Sequence, residues 1–269
     1  EPDLQWEVPV ARVAAAIQTL CDAGWPPSFV LIYDEAWVLM HQVRNLARLV
    51  NGMHEFVGDC SVFHVGSGRT ARGSAEGKEG AGWAPHRDRG GDHTASAFEE
   101  DGSPQYATVW IALTDATPTN SCLYCVPKGL DPGYLAGDGG QGPLQMQAGG
   151  LVSFSHRLLH WGSAGSATAR GWKDEPTRMA LSFSMAAPAL EKPYFSREYL
   201  PLPPVGLRAA LVGGLALQYV QNEDPGPVRR KLYYLCFHAS RSLFGAGFAH
   251  TVQTNYVYMA RADEQKAGE

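Results

Sequence analysis

The stretch Gly82–His93, "GWAPHRDRGGDH", packs two histidines, two arginines and two aspartates into twelve positions. Three readings compete for it: a kinase-like catalytic loop on His86-Arg87-Asp88, a metal site, or a charged surface turn. A kinase loop requires a metal-binding Asn five residues after the Asp, and position 93 is His. The V-A-I-K, D-F-G and A-P-E segments that accompany such a loop are also missing. In the metal reading "APHRD" is a strand, which turns His86 and Asp88 to one side and Arg87 to the other. An imidazole and a carboxylate on one face suit a two-histidine, one-carboxylate triad that leaves positions open on the ion, the pattern of non-haem Fe(II) oxygenases.

Such a triad needs a second histidine from a distant strand. His160 in "GGLVSFSHRLLHWGS" is the preferred candidate because it ends a strand-like run and precedes a Gly turn. His156 and His93 are the alternatives; His93 lies in a polar stretch that suits a surface role. H-x-D alone is a common accident of sequence. The run "TRMALSFSM" adds weight, since alternation puts Arg178, Ala180, Ser182 and Ser184 on one face and Met179, Leu181, Phe183 and Met185 on the other. A buried arginine demands an anionic partner. A dicarboxylate cosubstrate would supply it.

Around these segments, positions 83 to 186 alternate short β-forming runs ("TVWIALTD", "CLYCVP", "GGLVSFSH", "RMALSFSMA") with Gly, Pro, Asn and Asp. That pattern predicts an antiparallel sandwich or barrel. Helical spacing marks residues 8–22, 34–52 and two segments after Pro193, "GLRAALVGGLALQYVQN" and "PVRRKLYYLCFHASRSLFG", while "SFVLIYD" and "FVGDCSVFHVG" read as strands. The fold class expected is mainly β with flanking helices. We read one domain over 1–269: an N-terminal helical flank at 1–52, a β-core at 53–189 and a C-terminal helical region at 190–269. The Gly-rich stretch 66–82 reads as a loop, placed to act as a lid or a solvated tether. Its "GSAEGKE" lacks the glycine spacing and the hydroxyl after Lys78 that a phosphate loop needs.

Composition bounds the function. Of 269 residues, 45% are hydrophobic and 18% charged, enough for a sizeable core. A net charge of −5 without a basic run argues against a nucleic-acid partner and for a small-molecule substrate. No apolar stretch is long enough to span a membrane. Five cysteines at scattered spacings are no disulfide framework and favour a reducing, cytoplasmic compartment. In "CLYC" (122–125) the two thiols read as buried structural groups. Tyr219, Tyr233, Tyr234 and Phe237 read as core, and Arg69, Arg72, Arg87 and Arg89 as scattered surface charges that could also attract an anionic substrate.

Taken in order, "PHRD", "TVWIALTDATPTNSCLYCVP", "GGLVSFSHRLLHWGS" and "PTRMALSFSMA", over roughly 83–187, resemble the phytanoyl-CoA dioxygenase-like group of Fe(II)/2-oxoglutarate oxygenases. The resemblance implies a double-stranded β-helix (jelly-roll, cupin-like) core. It implies iron held by His86, Asp88 and His160, and a 2-oxoglutarate carboxylate paired with Arg178. Thr108 and Trp110 would line the cosubstrate pocket, and Ser163 stands one residue beyond the place where the family often carries a hydroxyl. The implied cofactors are Fe(II), 2-oxoglutarate and O₂, with ascorbate as a supporting reductant. With Asp88 in place the implied reaction is hydroxylation or desaturation of a C–H bond rather than halogenation. The chain departs from the family pattern in "PKGL", in Asn120-Ser121, and in the 18 positions separating His160 from Arg178, which leave Arg170 as the alternative cosubstrate arginine. A non-catalytic jelly-roll module with a structural metal is the competing class.

Overall fold

The protein is described from a computed structural model, over residues 5–52, 54–65, 84–88, 97–131, 142–144, 146–162, 177–220 and 225–268. Two helices open the chain, α1 (Val10–Asp22) and α2 (Asp34–Asn51). α2 carries Asp34 and Glu35 in its first turn and Arg48 in its last, the order that complements the helix dipole. Seven strands follow: β1 (Glu55–Val65), β2 (Tyr106–Ala112), β3 (Leu123–Cys125), β4 (Gly142–Leu144), β5 (Leu151–Ser155), β6 (His160–Gly162) and β7 (Arg178–Ala186). Three helices close it: α3 (Val205–Gln218), α4 (Pro227–Ala239) and α5 (Ala246–Gly268). No helix among the described residues is long and apolar enough to cross a membrane.

The strands form two antiparallel sheets, one in the order β1-β7-β2-β5 and a smaller one in the order β4-β3-β6. β7 lies inside the larger sheet, and all nine of its residues are buried. Its alternation sorts the two faces as the sequence predicts. Met179, Leu181, Phe183 and Met185 join one apolar cluster with Val13 and Ile17 of α1, Trp37 and Met40 of α2, Leu211 of α3, Phe237 of α4 and Val252 of α5. Both helical flanks therefore cover the outer face of this sheet. On the reverse, Ala180 joins Trp110, Phe154 and Leu123 in a second, smaller cluster.

Two expectations are corrected. "Mainly β" does not hold, because helix takes 47% of the described residues and strand 23%. "SFVLIYD" is not a strand: Pro27–Ile32 forms a 3₁₀ helix. Pro27 sits in its first turn, where a proline loses no hydrogen bond, and the Trp37 indole N–H donates to the Leu31 carbonyl at 2.7 Å. The five cysteines form no disulfide with one another. Cys122 is buried and Cys125 partly so, and burial raises the Cys125 thiol pKa. The loop at 66–82 lies outside the described residues.

Candidate metal centre

His86 does not lie in an extended strand; it makes a single antiparallel bridge to His160, the first residue of β6. The His86 N–H donates to the His160 carbonyl at 2.9 Å and the His160 N–H to the His86 carbonyl at 3.0 Å. This reciprocal pair brings two residues distant in sequence side by side, with ring centroids 4.3 Å apart. Each ring then uses Nδ1 locally, on the Ala84 carbonyl at 2.7 Å for His86 and on the Leu158 carbonyl at 3.0 Å for His160. A carbonyl accepts only, so each Nδ1 carries a proton, and Nε2 is the nitrogen that each ring in its neutral form would offer a metal.

Both Nε2 atoms face Asp88, whose Oδ1 is 3.8 Å from that of His86 and 3.4 Å from that of His160. The other carboxylate oxygen, Oδ2, accepts a hydrogen bond from the Thr108 hydroxyl on β2. One oxygen is anchored and the other is presented. The three residues offer donor atoms within 4.8 Å of one another, and theirs is the cluster found among the described residues. Burial pushes the His160 pKa down, the Asp88 carboxylate opposes this, and His86 reinforces it. The neutral imidazole that a metal requires is thereby favoured.

Arg87 turns away, as alternation predicts. Its guanidinium grips Asp131 at 2.8 and 3.0 Å and also donates to the Arg157 carbonyl. The expectation that Arg87 is a scattered surface charge is corrected: its side chain is 12% exposed and its partner's is fully buried.

Arg178 opens β7 and is 4% exposed. Its guanidinium carbon lies 5.6 Å from the Phe63 ring centroid and 5.8 Å from that of Trp110. Its Nε has no hydrogen-bond partner, and no carboxylate pairs with the side chain among the described residues. Burial pushes its pKa down to about 10, while the nearby Cys122 thiol acts in the opposite direction. The group remains a cation at neutral pH, short of an anion among the described residues.

One cavity of about 430 Å³ unites these groups, lined by His86, Asp88, His160, Arg178, Thr108 and Trp110 among others. Thr108 has a more specific position than the pocket wall expected, since it holds Asp88. His156 is buried elsewhere, with Nδ1 against the Tyr106 carbonyl and its ring beside Phe98, and it does not line the cavity. Ser163, Arg170, His93, Arg69, Arg72 and Arg89 lie outside the described residues.

Sequence reading missed Asp59, Ser61 and Tyr219, all of which line the cavity. Of the four aromatics read as core, Tyr219 packs against it and lines the cavity as well. Tyr233 and Phe237 are indeed buried in it, and Tyr234 packs against it. Gly58, isolated inside a strand pattern, was the available signal for Asp59, because such a glycine marks a bulge that re-aims its neighbour.

The donor set fits a six-coordinate divalent ion of the iron type: two imidazoles and one carboxylate leave positions for a bidentate 2-oxo acid and a gas molecule. The unpaired Nε of Arg178 fits the distal carboxylate of such an acid.

Residues 41–171 match the family model for phytanoyl-CoA dioxygenase. The match extends further towards the N-terminus than the motifs do and stops before Arg178. No curated protein matches the sequence. Among solved structures, the apo form of the non-heme monooxygenase ThoJ overlaps with a TM-score of 0.51 at 13% identity, over 91% of this chain and 90% of that one. The ThoJ-Ni complex gives 0.50 at 14% identity, over 91% of each chain. The match to EvdMO1 has a TM-score of 0.34 at 20% identity and takes in 48% of this chain but only 26% of that one, so the chain spans about a quarter of that protein's length. The ThoJ overlap supports a shared fold. The family whose model matches works with Fe(II) and 2-oxoglutarate. Over residues 41–171, a span that holds the His-Asp-His site, the chain is similar to the phytanoyl-CoA dioxygenase family.

Proposed function

We propose that the protein is an Fe(II)/2-oxoglutarate-dependent dioxygenase that hydroxylates a C–H bond of a small organic substrate. The observation that carries the reading is the meeting, on one cavity, of a two-histidine, one-carboxylate cluster and a buried arginine whose Nε lacks a partner. The two antiparallel sheets are read as a jelly-roll core, and 1–269 as one oxygenase domain, supported by the apolar cluster that takes in α1, α2, the large sheet and α3 to α5.

In this reading His86, Asp88 and His160 hold the iron, and Arg178 receives the distal carboxylate of 2-oxoglutarate through charge-assisted hydrogen bonds. Iron with 2-oxoglutarate and O₂ supplies the oxidising power, by oxidative decarboxylation of the 2-oxo acid to succinate. The chain does the rest by position. Thr108 fixes the rotation of the Asp88 carboxylate, and the two backbone carbonyls fix both imidazole tautomers. Phe63 and Trp110 exclude water around the guanidinium and so strengthen its hold on an anion. Ser163 is kept as a contributor to the cosubstrate pocket.

The test is succinate formation from 2-oxoglutarate in air with added Fe(II). Turnover is expected in the wild-type protein and should collapse in Asp88→Ala. Equal turnover in the variant would remove the triad from the mechanism.

A further inference from the structure

Beyond the triad the cavity has a second polar wall, with a direction of its own. On the inner face of the large sheet, Thr108 of β2 pairs with Ser184 of β7, and Ser182 of β7 pairs with Ser61 of β1. Asp59 follows just beyond the Cys60–Phe183 pair, on the same side as Ser61. It therefore sits near the level of Ser184, about two strand spacings, roughly 10 Å, across the sheet from Thr108. Arg178 lies six residues from Ser184 along β7, roughly 20 Å of strand. The two charged groups thus stand towards opposite ends of the cavity, and the triad is attached through Thr108 near the Asp59 end.

The backbone is bent to put Asp59 there. The β1–β7 register shifts between Phe56 and Cys60, and Gly58 has φ +96°. A Cβ on Gly58 would meet the Tyr194 Cβ at 3.1 Å and the Phe195 ring at 3.2 Å. The Tyr194 N–H closes the bulge on the Val57 carbonyl at 2.7 Å. The C-terminal region then orients the carboxylate: the Tyr219 hydroxyl, just past α3, donates to Asp59 Oδ2 at 2.6 Å. Tyr106 donates to Ser184 and completes a wall of one carboxylate and several hydroxyls. Phe154, paired with Thr108 on β5, continues that face with an apolar ring, and Leu123 of the smaller sheet adds a second apolar group to the lining.

We infer that Asp59 is the anchor for the primary substrate, and that the substrate is a small molecule with an apolar body and an amine carried as a cation. The inference rests on the oxygenase reading and names the substrate class for that same cavity. Arg178 recruits an anion to one end; a carboxylate at the other end accepts hydrogen bonds only, repels anions and gains most from a cation. An acyl-CoA, the substrate in the family's name, would bring several negative charges towards that carboxylate. A cavity of about 430 Å³ is also near the small end of the range for ligand sites, roughly 300–1,000 Å³.

The test uses three probes with one ring: cyclohexylamine, cyclohexanol and cyclohexanecarboxylate. Each is titrated into the full chain loaded with Mn(II) and N-oxalylglycine, and binding is read from paramagnetic relaxation of the ring protons. The amine is expected to bind at least about tenfold more tightly than the alcohol, with the carboxylate weakest. Asp59→Asn should bring the amine to the level of the alcohol. Equal binding of amine and alcohol in the wild-type chain, or a preference for the carboxylate, overturns the inference without recourse to any variant. If Mn(II) with N-oxalylglycine fails to raise the wild-type melting temperature, the oxygenase reading itself has failed. If that shift is present and the amine preference absent, only the Asp59 assignment falls.

Discussion

Replacing Arg87 by methionine removes the guanidinium and keeps most of the side-chain volume. Asp131 then remains fully buried without the two-pronged contact at 2.8 and 3.0 Å, and the Arg157 carbonyl loses a donor. Stranding one member of a buried pair costs about 3–5 kcal/mol. For a chain of this size, each kcal/mol lowers the melting temperature by about 2–4 °C, so a fall on the order of 10 °C is expected. Arg87→Met/Asp131→Leu removes the Asp131 charge as well and should recover most of that loss, because a pair replaced by apolar groups often costs little. Mn(II) affinity should fall in both variants, since Arg87 stands between His86 and Asp88 and ties their segment to the residues at 131 and 157. The assay is urea unfolding of the four proteins of the double-mutant cycle, with Mn(II) binding followed by calorimetry. A single-variant loss below about 1 kcal/mol would mean that the pair behaves like an exposed one. Strictly additive losses would equally refute the argument.

Three further outcomes follow from the site and its surroundings. Arg178→Ala should raise the apparent KM for 2-oxoglutarate by roughly 10- to 150-fold, the worth of a charge-assisted pair, and Arg178→Lys should restore only part of it; steady-state succinate assays decide. Thr108→Val removes the donor to Asp88 at nearly constant shape and should weaken Mn(II) binding by about 10- to 100-fold, measured by calorimetry, while unchanged affinity would leave Thr108 a mere wall residue. Tyr194 and Tyr219 are held above the ordinary tyrosine value by burial first and by Asp59 second. A phenol whose folded pKa is raised contributes stability that is fully present below its unfolded pKa and is lost as pH climbs above it. Urea unfolding at steps from pH 8 to 11 should therefore show stability falling from about pH 10 upward, and Tyr219→Phe should flatten that fall.

Much of the site was legible because alternation on a strand is a strict rule. Reading "TRMALSFSM" with period two assigned Arg178 through Met185 of β7 to their faces, and the two-residue spacing of His86 and Asp88 placed both on one side of Arg87. The bland fate given to Arg87 failed because its partner, Asp131, lies 44 positions away and nothing local announces it. "SFVLIYD" failed for another reason: a short apolar run has no period by which to tell strand from helix, and Pro27 decided the matter. The excess of helix over strand escaped notice because the β-segments carry the motifs, while α3 to α5 carry none. Asp59 and Tyr219 were hidden by their dependence on a bulge and on a helix end that meet only in three dimensions.

The reciprocal peptide hydrogen bonds between His86 and His160 have a consequence for the order of assembly. Two of the three donors are held together by main chain alone, so the entropy of gathering them is lost when the sheets form rather than when the ion arrives. Unlike a zinc finger, whose chain collapses only around its metal, such a centre should survive chelation with its sheets and helices intact, and reload without refolding.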